Sequence, residues 1–88
     1  MIHYGEVKRY AGSMNELAED IGNLRYDALA DFLNLLAAKI EHDGDKDRAR
    51  KRLKLANELH SSADSLRTSA TAIDRAWVIC KPFMPKDS

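Results

Sequence analysis

Eighty-eight residues make one domain, and fourteen Lys and Arg balance fourteen Asp and Glu, so the formal net charge is +0. That balance lacks the basic excess of a general nucleic-acid binder. At 44% hydrophobic and 32% charged the chain is too apolar for disorder, its 4 Gly and 2 Pro are too few for the turns of a β-sandwich, and 1 Cys excludes an internal disulfide or a Cys-based zinc cluster.

Residues 1–12 mix His3, Glu6, Lys8 and Arg9 with apolar residues and do not form the basic-then-apolar pattern of a secretory leader. Purely apolar stretches such as Leu35–Ala38 fall far short of the roughly 20 residues a membrane helix needs. The expected location is the cytoplasm. Val7, Tyr10 and Ala11 fit a short helix before Gly12, although the sequence leaves the conformation of this segment open.

Ser13 followed by Glu16 is a capping box and marks the first firm helix start. Met14, Leu17, Ile21, Leu24, Ala28, Phe32, Leu35 and Ile40 then recur largely at steps of three and four. Gly22-Asn23 is a candidate break, but the apolar stripe keeps its phase across it, which predicts an unbroken helix over residues 14–42 at a cost of about 1 kcal/mol for the glycine. Asp43-Gly44-Asp45 is the strongest loop signal in mid-chain, and Asp45 suits an N-cap.

A second helix is expected over residues 46–80, stopped by Lys81-Pro82. Ala49, Ala56, Ala63, Ala70 and Trp77 recur every seven residues, and Arg52, Leu59, Leu66, Ile73 and Cys80 follow each by three. This is a heptad seam with mostly small residues at one core position and mostly large ones at the other. The fold class is therefore all-α: an antiparallel hairpin of two long helices, about 14–42 and 46–80, within a single domain spanning 1–88. A fold-back at residue 44 would set Leu17 on Ala70, Leu24 on Ala63, Phe32 on Ala56, Ala28 on Leu59, Ile21 on Leu66 and Met14 on Ile73. Large would face small, as dense packing requires. At the open end Tyr4, Val7, Tyr10, Trp77, Phe83 and Met84 would form an aromatic cap, with the tail Lys81–Pro85 meeting the N-terminal segment.

Tyr26, Leu29, Leu33, Leu36 and Ile40 form a further apolar stripe at steps of three and four beside that seam. One hairpin partner would not cover both stripes, so the second predicts a homodimer in the form of a four-helix bundle, antiparallel about a two-fold near Leu33. Arg48 and Arg52 would then lie level with the partner's Asp27 and Asp31.

The chemical motifs are weak. Glu16 and Glu19 form the E-x-x-E with which MazG-type helical nucleotide pyrophosphatases hold Mg²⁺, but the second carboxylate motif is absent. Asp43, Asp45 and Asp47 open like an EF-hand loop, yet Arg48 takes the glycine position and Lys54 the final glutamate position. His42-Asp43 suggests a hydrolase pair, which His3 and His60 do not complete, residue 3 being expected at the opposite end. Cys80 beside Lys81 reads as a structural core thiol. No catalytic residue, metal or cofactor is expected, and the chain reads as non-enzymatic. Lys46, Arg48, Arg50, Lys51, Arg52 and Lys54 form the most local anomaly. Read as the start of helix two, this run opposes the helix dipole. It is expected to pair with the acids of residues 14–43, with contact to RNA or an acidic partner as the alternative. The expected function is assembly with itself or with another helical protein.

Overall fold

The computed structural model describes residues 2–84, and among them the chain is helical without strands. Helix α1 spans Met14–Gly22, α2 spans Tyr26–Ala49 and α3 spans Leu53–Cys80, followed by a 3-10 turn at Lys81–Phe83. The two long helices pack on one another as the expected hairpin. The boundaries on the first side of the hairpin differ from those read in the sequence, and each difference has a local cause.

The capping box forms: Ser13 Oγ accepts from the Glu16 N–H at 3.1 Å, and Glu16 Oε1 accepts from the Ser13 N–H at 2.9 Å. The helix does not run through to residue 42. It stops at Gly22, where the Asn23 N–H closes on the Glu19 carbonyl and Arg25 turns to extended backbone. Asp27 restarts it, taking the Ala28 N–H at 2.8 Å and the Arg25 Nε–H at 2.6 Å. The apolar stripe keeps phase across this break, so phase alone did not reveal it.

Asp43-Gly44-Asp45 is not the loop. Gly44 lies inside α2 and is buried. A methyl placed on it would sit 2.5 Å from His60 Cδ2 and 3.3 Å from Leu59 Cβ, so glycine is there to let α3 come close. The turn falls at residues 50–52. Lys51 has φ 63°, its N–H reaches the Arg48 carbonyl at 2.9 Å, and the Arg52 N–H reaches the Asp47 carbonyl at 2.8 Å. This is a Schellman C-cap with lysine where glycine is usual.

Moving the turn changes the seam. Ala30, Ala37 and Gly44 on α2 and Ala56, Ala63 and Ala70 on α3 are the buried residues, at seven-residue steps on both helices. Ala49 is exposed and Arg52 precedes α3, so neither joins it. Starting from the Gly44–Leu59 contact, steps of seven set Ala37 level with Leu66 and Ala30 with Ile73. The intervening layers pair Ile40 with Ala63 and Leu33 with Ala70. Large still faces small, but the register is about sixteen residues from the expected one, and Leu24, Phe32 and Ala28 do not meet Ala63, Ala56 and Leu59. Two helices lined by small residues approach to about 8 Å, the near end of the usual range.

The aromatic end cap is not formed. Tyr4, Val7 and Phe83 are exposed, and Trp77 instead lies under the Arg25 guanidinium, 5.5 Å from the ring centre. Residues 4–11 are not helical; Tyr10 donates through its hydroxyl to Asp20, which holds the phenol above its ordinary value. Pro85 of the expected tail lies outside the described residues.

Two predictions follow the geometry. Gly44→Ala should lower stability by roughly 1–3 kcal/mol through overpacking against α3. Lys51→Gly should raise it by up to about 1–2 kcal/mol by relieving the left-handed conformation. Chemical denaturation measures both; the opposite pair of signs would return the turn to residue 44. The second concerns acid. The capping box holds Glu16 below its ordinary 4.5, and hydrogen bonds from Arg25 and Lys39 hold Asp27 and Asp43 below 3.8. Lowered carboxylate pKa values contribute stability that is present above the unfolded values and is lost as pH falls through the folded ones. Thermal melts followed by circular dichroism should therefore be unchanged between pH 7 and about 5.5 and fall below about pH 4, and a melt at pH 3 equal to that at pH 7 would contradict it.

Candidate interaction surface

The two faces of the hairpin differ in chemistry. One is stitched by polar contacts between α2 and α3: Glu41 pairs with Arg67 at 2.6 Å, His60 Nε2 lies 2.9 Å from Asp45 Oδ1, and Arg48 donates to Asn57 Oδ1 at 3.2 Å. Arg48 also approaches His60 Nδ1 at 3.4 Å. Guanidinium only donates, so that contact calls for an accepting Nδ1 and leaves the imidazole proton on Nε2, facing Asp45.

The opposite face is apolar. Heptad position puts Leu29 and Leu36, then Leu33 and Ile40, on this side of the α2 seam, and Leu59, Leu66, Ile73 and Cys80 on this side of the α3 seam. No side chain larger than alanine is fully buried in the described chain. Leu29, Leu33, Ile40, Leu59, Leu66 and Ile73 are half-buried, and Leu36 and Leu55 remain 37% and 46% exposed. The molecule measures 49 × 30 × 15 Å along its principal axes. An open cleft of about 630 Å³ lies at the turn end, where Asp43, Asp47 and Arg50 meet Leu55 and Leu59.

Of the five residues read as a partner stripe, Leu33 and Ile40 flank the hairpin seam, Leu29 and Leu36 lie further out on the same side, and Tyr26 stands at the open end near Leu24 and Cys80. Stripe and seam are therefore one surface rather than two. Sequence reasoning missed that Leu59, Leu66 and Ile73 share it. Their heptad spacing is plain in the sequence, but a turn at residue 44 would place them in the interior of the hairpin.

The basic run occupies the last turn of α2, the connection and the first residues of α3. Lys46 and Arg48 thus sit at a helix C-terminus, where positive charge favours the dipole, the reverse of the expected placement. Within the described chain the run engages the acids of residues 14–43 only at Lys46, whose charge joins Lys39 in holding the Asp43 carboxyl below its ordinary value. Asp27, Asp43 and Glu41 are taken by Arg25, Lys39 and Arg67. Arg52 pairs with Asp47 at 3.5 Å, and Arg48 is engaged on the polar face. Lys46, Arg50, Lys51 and Lys54 make no side-chain hydrogen bond or ion pair with the described residues.

The aspartates that open like an EF-hand are separated by α2, Asp43 holding Lys39, Asp45 facing His60 and Asp47 holding Arg52. His3 lines the turn-end cleft, not the opposite end of the molecule, because residues 3–22 run back along the hairpin from the turn to the open end. Cys80 is half-buried with its thiol 3.7 Å from the Trp77 carbonyl. Among the described residues no group of three His, Cys, Asp or Glu side chains is placed to hold a metal ion, and no helix is long and apolar enough to cross a membrane. No family model, curated protein or solved structure matches this chain.

Proposed function

We propose that this chain is a non-enzymatic helical assembly module that self-associates in the cytoplasm through its apolar face. The observation that carries this reading is the one-sided placement of Leu29, Leu33, Leu36, Ile40, Leu59, Leu66 and Ile73 beside a core made of alanine and glycine. A buried alanine methyl contributes about 0.8 kcal/mol, whereas full burial of a leucine contributes about 1.5–3. The hairpin alone gains little from its seam, and a second apolar layer over this face would add the larger contributions. Contiguous apolar faces of this kind mark interaction sites.

Light scattering at micromolar concentration should give about twice the 9.9 kDa of one chain. Leu36→Asp, on the face but outside the closest helix contact, should lower that mass toward the monomer. Leu35→Asp should not, because Leu35 is 71% exposed and stands about 100° around α2 from Leu36. A wild type that stays monomeric to high micromolar concentration would overturn the proposal.

A second reading, RNA binding by the turn, is favoured by Arg50, Lys51 and Lys54, which make no side-chain hydrogen bond or ion pair with the described residues. On that reading structured RNA binds with a strong salt dependence, and replacing these three by alanine abolishes binding while the helical spectrum is kept. Under the assembly reading, fluorescence titration with structured RNA at physiological salt should give no binding tighter than about 10⁻⁶ M.

A further inference from the structure

We infer that the partner on the apolar face is a second copy of this chain lying antiparallel, so that the turn of each hairpin meets the open end of the other. The inference rests on the assembly reading above and adds its occupant and orientation.

Area supports a second copy. The chain exposes 7028 Å², whereas a compact monomer of 9.9 kDa exposes roughly 5,200 Å²; the excess of about 1,800 Å² is shared between the largely exposed N-terminal residues 2–16 and the apolar face. A stable interface takes about 800 Å² from each partner. The face is about as long as α2 from Leu29 to Asp47, roughly 27 Å, and presents one row of large residues from each helix, so it is complementary in length and width to itself. Two such faces stacked about a two-fold bring the α2–α3 pairs of two chains together as a four-helix bundle.

Charge selects the orientation. Two face-to-face arrangements satisfy a two-fold: one places turn on turn, the other turn on open end. Residues 43–54 carry six cations against three carboxylates, and Arg50, Lys51 and Lys54 make no side-chain hydrogen bond or ion pair with the described residues. The open end, formed by residues 14–31 together with residues 72–84 at the end of α3, carries six carboxylates against three cations. Turn on turn would bring Arg50, Lys51 and Lys54 against their own copies. The antiparallel arrangement sets them near Glu16, Glu19 and Asp20 of the other chain, within reach of attraction that salt does not fully screen. The specific pairs expected from sequence are not used: Arg48 and Arg52 are engaged in their own chain, and Asp27 holds Arg25.

The single cysteine provides the test. With the two-fold near Ala37 and Leu66, Cys80 lies fourteen residues from it along α3, so the two Cys80 side chains should be about 40 Å apart. Pulsed electron spin resonance on protein labelled at Cys80 reads this distance. The same measurement on Lys54→Cys in a Cys80→Ser background should give about 35–40 Å, and it guards against a label that disturbs Cys80. Turn-on-turn association would give less than about 25 Å at both sites, a lateral spacing of neighbouring helices, and would overturn the antiparallel inference while leaving self-association intact. A monomer in light scattering would overturn both. Long distances at both sites in a particle of twice the chain mass are the expected result.

Discussion

The close approach of α2 and α3 is the constraint from which the rest follows. It is set by six small residues spaced at sevens, three on each helix, with Gly44 admitting Leu59 and His60. Because the backbones meet over methyl groups and a hydrogen, the large side chains cannot sit between the helices. They are displaced to the rim of the contact, and heptad geometry sends them all to one side. A seam this narrow positions the helices firmly but buries little apolar surface, so the hairpin's shape and its incompleteness have a common origin.

The polar side follows from the same geometry. With apolar residues collected on one face, Glu41, Asp45, Arg48, Asn57, His60 and Arg67 fall on the other and reach across a short gap to one another. Such exposed contacts each contribute about 0–1 kcal/mol, too little to hold the helices together. What they do is distinguish the faces: one is satisfied within the chain and the other is not. At the turn, the Schellman cap brings the end of α2 and the start of α3 together, and the basic run with them. The resulting charge polarity, positive at the turn and negative toward the open end, is a property of the folded hairpin in a chain whose net charge is +0.

Glycine illustrates how a local signal misleads. Asp43-Gly44-Asp45 has the composition of a loop, and glycine is common in turns because it accepts left-handed backbone. Here Gly44 keeps ordinary helical backbone and serves by lacking a side chain, whereas the left-handed position is taken by Lys51. Local composition does not separate these uses, because the second depends on what another helix brings to the site. The break at Gly22-Asn23 escapes the apolar pattern for a related reason. Apolar phase reports which side of the chain faces the core, and a short connection can preserve it.

The sequence by itself determined the helical class, the hairpin of two long helices, the α1 start at the Ser13–Glu16 capping box, the α3 end before Pro82 and the small-and-large heptad on α3. Each of these is written in spacing or in a few adjacent residues, and local hydrogen bonding or side-chain periodicity enforces it. Only the tertiary structure decided where the chain turns, and with it the register, the partners of Leu33 and Ile40, and the sharing of one face by the α2 stripe and the α3 leucines. A seven-residue repeat matches itself at many offsets, so periodicity on one helix cannot choose among registers. The choice is made where Gly44 admits Leu59 and His60, a contact between residues fifteen and sixteen apart whose meaning appears only when both helices are present.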